Sequence, residues 1–333
     1  MTSYILPCKN EPFLKNTILD LLKNSTGDYE ILVHLDEYYP PKDEIVHDDR
    51  VIYIHSGSRT GMRGGIEKCA AIANGDFFVK IDAHCSISAG MNTILREDCP
   101  VDGIMIPERR RLDVINWAEQ SQDPIKKPNI STEYISYPDT DSDWGGKGIN
   151  GRQWIEKIHE MKDVLIFDIP GSQGSGWGTS RANYERIGGM HENLWNSFWG
   201  ESQQLAFSTI LRESTAEKQT GTLYNATTNP IQIGTYKVNK KCHYSHWHKG
   251  PKKEVEMPDG SSKTIGGRGY TLREQELVDG RNATMRFFKA EKVWEDQVRP
   301  LSFIIDLHPG MPGWTDERID ELKSRERLAG WNV

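Results

Sequence analysis

Asp82 and His84 are the residues whose types and spacing most directly offer chemistry. They close the apolar run Phe77-Phe78-Val79-Lys80-Ile81 as Asp82-Ala83-His84. Side chains of an extended strand alternate, so a strand continuing here points Asp82 and His84 one way and Ala83 the other. One carboxylate and one imidazole on a shared face suit Mn2+, Mg2+ or a similar ion that also accepts diphosphate oxygens. Such an ion neutralises charge building on a departing nucleotide. Alone, D-x-H is a weak pattern that many proteins contain by chance; its meaning depends on what surrounds it.

Two further carboxylates stand at strand ends. Glu11 follows the first apolar run and Asp36 ends the second. Each can accept a hydrogen bond from a uracil N–H, or equally cap the next helix or turn. Arg63 opens a helical stretch, where its guanidinium can fork onto diphosphate oxygens or stay solvated. Glu201 follows Trp195, Phe198 and Trp199, aromatics that can stack on a sugar or base face or fill a core. Glu201 is the acceptor-side candidate, or the stabilised first residue of a helix running through Phe207 and Ile210. The run Gly171-Ser172-Gln173-Gly174-Ser175-Gly176-Trp177-Gly178 is not followed by the lysine of a P-loop; its glycines allow close backbone approach to a sugar. Trp117, Trp154, Trp294, Trp314 and Trp331 are read as core residues.

The elements that must position these residues follow from hydrophobic pattern. Strands are expected at Tyr4–Leu6, Ile31–Leu35, Val51–His55 and Phe77–Ile81, with helices at Pro12–Lys23 and Arg63–Ala73. This β-α-β-β-α-β order predicts an α/β fold, a parallel sheet with crossover helices. In such sheets ligands sit at the strands' C-terminal ends, where Glu11, Asp36 and Asp82 lie. Residues 120–153, with three prolines and Trp144, are expected to form a long loop on the acceptor side. Ordered α/β character returns over 163–212. The expected division is a catalytic domain over 1–248 and a C-terminal extension over 249–333 packed on it, with helices near 272–292 and at the end.

The chain has 333 residues and a formal charge of -7, which argues against a wholly basic nucleic-acid coat. Its five cysteines form no C-x-x-C pair, so neither a disulfide framework nor a thiolate zinc site is expected. No apolar run is long enough to span a membrane, and Met1–Pro7 carries no signal-peptide pattern. The expectation is a cytoplasmic protein.

Together these segments resemble the GT-A glycosyltransferases, which implies a Rossmann-like fold with a mixed central sheet, helices on both faces and a C-terminal appendage. Gly75 to Cys85, with Asp82-Ala83-His84 at its centre, resembles the metal motif of the polypeptide N-acetylgalactosaminyltransferases, where family 2 enzymes carry a related D-x-D. Leu6-Pro7-Cys8-Lys9-Asn10-Glu11 resembles the first strand and uridine-contacting turn, and Arg63-Gly64-Gly65-Ile66 the helix before the metal strand. Gly176-Trp177-Gly178-Thr179-Ser180-Arg181 resembles the donor-sugar loop. Phe198-Trp199-Gly200-Glu201-Ser202 resembles the W-G-G-E-N segment. The resemblance runs over roughly residues 3–250. It implies donor contacts from Pro7, Cys8, Glu11, Asp36, Arg63, Asp82, Ala83, Gly176, Trp177 and Trp199. It also implies a third metal-binding histidine in Cys242-His243-Tyr244-Ser245-His246-Trp247-His248, for which His246 fits best. The implied activity is transfer of a sugar from a nucleoside diphosphate sugar, a UDP-sugar above all, with Asp82 and Glu201 at the reacting centre.

Inverting family 2 enzymes place an aspartate where Ser202 stands, as base on the acceptor. Its replacement leans the expectation toward the retaining outcome, in which the leaving diphosphate helps to deprotonate the acceptor. A sugar nucleotidyltransferase shares layout and metal but begins with a glycine-rich basic loop, which Pro7-Cys8-Lys9-Asn10-Glu11 is not. A non-catalytic sugar- or nucleic-acid-binding module does not need Asp82, His84 and His246 together. Glycans, small molecules, proteins and hydroxylated bases in DNA all remain open as acceptors. Lys237, Lys240, Lys241, Lys249, Lys252 and Lys253 are the basic stretch a DNA acceptor would use, or a solvated face.

Overall fold

The computed structural model describes residues 1–120, 131–138, 148–190, 200–225, 232–250, 252–267 and 274–333. The four expected strands form as β1 (Thr2–Cys8), β2 (Tyr29–Asp36), β3 (Val51–Ser56) and β4 (Phe77–Ile81). They lie parallel in the order β3-β2-β1-β4. The central strands are buried along their whole length, which is why they read as continuous apolar runs rather than alternating ones.

The two crossover helices take opposite faces. Helix α1 (Leu14–Asn24) buries Leu14, Ile18 and Leu21, one helical stripe, against Tyr4, Leu6, Ile31 and Val33. Helix α2 (Gly61–Ile72) buries Met62, Ile66 and Cys69 against Ile5, Leu32 and Phe78, the alternate positions of the same strands. It starts two residues before the expected Arg63 because Asp36 reaches its N-terminus, accepting from the Thr60 and Gly61 backbone N–H groups at 2.7 and 3.0 Å.

Beyond β4 the chain changes direction. A short β5 (Cys85–Ile87) precedes a helix at Met91–Asp98, and then β6 (Gly103–Asp113) crosses the sheet, with β7 (Ala118–Glu119) folded back on its end. Residues 120–153 do not form one uninterrupted loop. β8 (Glu133–Ile135) and β9 (Gly151–Gln153) pair antiparallel as a separate small sheet, with Glu133 also bridged to Gly171. Sequence alone missed these strands because each has three residues and their partners lie far along the chain. Trp144, central to the loop expectation, lies outside the described residues.

β10 (Ile166–Asp168), β11 (Gly176–Ser180) and β12 (Thr235–His246) complete a ten-stranded mixed sheet. β11 runs antiparallel between β4 and β6, and β12 runs parallel to β6. A bulge between Asn239 and His243 bends β12 so that its last residues also pair with β5, setting His246 opposite Cys85.

Past residue 249 a hairpin (Lys253–Glu256 with Ser262–Ile265) packs with Phe13 and Trp247. Helices at Glu274–Phe288, Leu301–Leu307 and Asp316–Leu328 bury Phe287, Leu301, Ile304 and Leu322 in the same core as the Glu201–Leu211 helix. Phe207 and Phe287 meet edge-on at 5.0 Å, and the Trp314 indole donates to the Ile135 carbonyl at 2.7 Å. Trp154, Trp294 and Trp314 are buried as expected, whereas Trp117 and Trp331 are half-buried.

Because these helices share one core with the sheet, Ile304→Ala should cost about 2–5 kcal/mol. Thermal unfolding followed by circular dichroism should shift as a single transition. A separate early transition would show that the C-terminal region folds independently.

Candidate active site

β4 ends at Ile81, so Asp82-Ala83-His84 is a turn and not the strand the sequence pattern suggested. The turn is pinned at both ends: Asp82 N–H donates to the Ser175 carbonyl at 3.1 Å, and His84 C=O accepts from Trp247 N–H at 3.3 Å. Asp82 and His84 converge because the chain turns, while β12 delivers His246 between them. His84 Nε2 lies 3.0 Å from His246 Nε2, His246 Nε2 3.2 Å from Asp82 Oδ2, and His84 Nε2 3.9 Å from Asp82 Oδ2. Donors sharing one octahedral ion with bonds of about 2.1 Å stand roughly 3 Å apart, so the three side chains fit a single divalent cation. Among the described residues this is the one cluster of histidine, cysteine and carboxylate groups with that geometry.

The surroundings hold Asp82 and His246 in their ligating forms. Burial opposes ionisation of Asp82, but Lys80, His246 and His84 outweigh it and keep its carboxyl well below the ordinary range. Burial, reinforced by Arg109, holds His246 well below its usual value and therefore neutral. Arg109 Nη2 stands 2.8 Å from His246 Nδ1 and 3.3 Å from His248 Nε2. His84 Nδ1 is 3.1 Å from Glu11, whose other oxygen binds Lys249. A carboxylate on the far nitrogen of a metal histidine fixes ring and tautomer. His243 points to the opposite face, toward Glu119 and Arg110, as the strand alternation requires.

Lys80 is the hub on the other side. It is 1% exposed and bonds Asp82 Oδ1 and the Gly174 carbonyl, both at 2.7 Å, with Glu201 at 3.3 Å. Burial disfavours its charge, yet Asp82 and Glu201 raise its pKa. Glu201 opens the Glu201–Leu211 helix, accepts from Trp177 Nε1 at 2.8 Å, and is raised by burial beyond what Lys80 offsets.

These groups line a cavity of about 550 Å3 together with Pro7, Ala83, Glu133, Asn150, Arg152, Gln203 and Lys249. Of the sequence-derived candidates, Pro7, Glu11, Asp82, Ala83, His84, Glu201 and His246 share this cavity, whereas Cys8, Asp36, Arg63, Gly176 and Trp177 do not line it. The Cys8 thiol is wholly buried, and burial raises its pKa far above the ordinary value. Asp36 serves the start of α2. Arg63 is completely buried against Gln204 and Met190. Trp177 acts through Glu201. At Gly176 a Cβ would come within 2.9 Å of the Tyr244 ring, so that glycine accommodates tyrosine. Trp199, Trp195 and Phe198 lie outside the described residues. Lys80, Arg109 and Glu133 were not singled out from sequence. Lys80 left a signal, a lysine inside an otherwise apolar strand; Glu133 left none.

Residues 3–93 match the family model described as Glycosyl transferase family 2. No curated protein sequence matches the chain. Solved structures do. One is GalNAc-T7, crystallised with UDP, GalNAc and Mn2+, at a TM-score of 0.60 and 12% identity, covering all of this chain and 55% of that one. Others are TarS 1-349 of S. aureus in complex with UDP (TM-score 0.42, 12% identity, 74% of this chain and 60% of that one) and the mannosyltransferase PcManGT of Pyrobaculum calidifontis with GDP-Man and Mn2+ (0.39, 14%, 63% and 52%). This chain thus spans little more than half the length of these proteins. The sheet order and the first of these likenesses define a GT-A fold with an extra C-terminal region. The family 2 segment over residues 3–93 coincides with the parallel half of that fold and includes Asp82 and His84. Among the described residues no helix is long and apolar enough to cross a membrane.

Glu11→Ala should leave His84 free to rotate and weaken Mn2+ binding about 10–100-fold in an isothermal titration; unchanged affinity would mean that Glu11 does not support the metal histidine. Burial pushes the Glu133 carboxyl up to about 7. A raised folded pKa contributes stability that is complete below the unfolded value and lost as pH rises through the folded one. Glu133→Gln should therefore gain on the wild type between pH 5 and 8, by on the order of 3 kcal/mol, measured as the difference in chemical denaturation midpoints.

Proposed function

We propose that this chain is a metal-dependent glycosyltransferase moving a sugar from a nucleoside diphosphate sugar, with UDP as the nucleotide, to a hydroxyl acceptor. The observation that carries the reading is the convergence of Asp82, His84 and His246 at the mouth of the cavity beside the C-terminal ends of β1 and β4. Two nitrogens and one oxygen suit Mn2+ better than Mg2+, which favours all-oxygen sites. When bound there, the ion supplies a positive charge for the diphosphate as the glycosidic bond breaks. Pro7 and Ala83 give the donor an apolar edge, and Lys80 keeps Asp82 ionised and holds Glu201 on the same ammonium. The UDP in the GalNAc-T7 crystal supports the choice of nucleotide.

The acceptor is better sought among neutral hydroxyl compounds such as glycans than in DNA. Lys237 and Lys241 pair with Asp168 and Asp98, Lys240 bonds two backbone carbonyls, and Lys249 binds Glu11. Four of the six lysines of the basic stretch are thus engaged within the protein. Five free cysteines support a reducing, cytoplasmic setting.

The test is UDP release from UDP-glucose, UDP-galactose, UDP-GlcNAc and UDP-GalNAc with and without Mn2+. Release of UDP from at least one of them should require Mn2+ and fall at least about a hundredfold in Asp82→Ala and His84→Ala. Release that survives either substitution, or release from none of the donors, would refute the reading.

A further inference from the structure

Three glutamates line the cavity, and two are already engaged. Glu11 supports His84 and binds Lys249, which together outweigh burial and lower its pKa. Glu201 is tied to the Trp177 indole and to Lys80. Glu133 differs in its partners. It begins β8, is 6% exposed, and accepts a hydrogen bond from the Gln173 amide.

The cavity wall is shaped around this carboxylate. A Cβ at Gly151 would collide with Glu133 Oε2 and stand 3.0 Å from Gln203 Nε2. Gly174 makes the same allowance for Glu201, where a Cβ would be 2.6 Å from Oε2. The charged and titratable groups around Glu133 are Arg109 from β6, Arg152 from β9 and Tyr236 from β12. Both arginines favour the carboxylate, yet burial dominates and the group titrates near neutrality. A buried carboxyl with that balance can take up a proton at neutral pH and return it to solvent.

We propose that Glu133 is the proton acceptor of the transfer, receiving the hydrogen bond of the incoming hydroxyl at the wall formed by β8 and β9; the proposal rests on glycosyl transfer being the reaction. The acceptor oxygen forms a bond to the anomeric carbon, and the bond from that carbon to the diphosphate oxygen breaks. Its electron pair leaves with the nucleoside diphosphate. The acceptor proton passes to the Glu133 carboxylate, which takes over the task that Ser202 left to the leaving diphosphate. Gln173 and Gly151 position the carboxylate, and Arg109 and Arg152 limit the cost of its charge.

Water serves as acceptor in the test, with UDP release from a UDP-sugar as readout. Wild-type release should rise with pH along a limb near 7, because the base must be ionised. Glu133→Gln should lose that limb and at least about a hundredfold in rate while binding Mn2+ and UDP as the wild type does, and Glu133→Asp should recover part of the rate. A Glu133→Gln rate within about threefold of wild type with the limb intact would overturn the proposal. Loss of Mn2+ and UDP binding in Glu133→Gln would overturn it too, by showing a structural role. A wild type that binds Mn2+ but cleaves no UDP-sugar would instead refute the glycosyltransferase reading, and the base assignment with it.

Discussion

Lys80 carries an ammonium into the interior, where an unpaired charge costs several kcal/mol, so the groups around it cannot be placed freely. It sits on β4 beside Ile5 of β1 and Trp177 of β11, and its charge is met by Asp82 in front and Glu201 above. The same ammonium takes the Gly174 carbonyl, which fixes the segment leading into β11. One side chain thereby sets the ionisation of Asp82, the position of the first residue of the Glu201–Leu211 helix and the course of a cavity-lining loop. A methionine of similar length would leave two buried carboxylates facing each other, so the sheet, the helix and the loop depend jointly on this contact.

The sheet changes from parallel to antiparallel at that same place. β1 to β4 build a parallel half whose strand ends open in one direction, and β11 enters between β4 and β6 running the other way. The chain therefore returns to the C-terminal ends of the parallel strands from the far side. It brings Ser175 to hold the Asp82 turn and Trp177 to hold Glu201. β12 makes a second return, and its bulge swings His246 onto β5 beside His84. The cluster is a product of topology: residues 82, 84 and 246 meet because two separate strands close on the same turn.

This explains what the sequence could disclose. The parallel half was legible nearly residue by residue, because strands buried on both faces and helices buried on one leave strong patterns; β4 was read with its correct ends. Asp82, His84 and His246 were legible as a set only through family resemblance, and the strand geometry inferred for the first two was wrong because a turn does the work. Glu133 was not legible. Its setting comes from Gly151 of β9, Gln173 of the segment before β11 and Gln203 of the Glu201–Leu211 helix, which meet at a three-residue strand with no periodicity to detect. Asp36 and Arg63 were visible as polar residues at element ends, but sequence could not tell ligand contact from helix support, and the structure places both in support of packing.

The cavity's internal charge balance also bears on why a cation belongs there. Lys80 is matched by Asp82 and Glu201, and Lys249 by Glu11, so these two lysines bring little net positive charge to the opening. A diphosphate entering beside Asp82 would meet carboxylates at close range, and its own charge would be repelled. Two imidazoles and one carboxylate on the same edge offer a divalent ion three donors, only one of them a carboxylate. An ion held there would add net positive charge at that edge, and the paired lysines keep the carboxylates ordered whether or not an ion is bound.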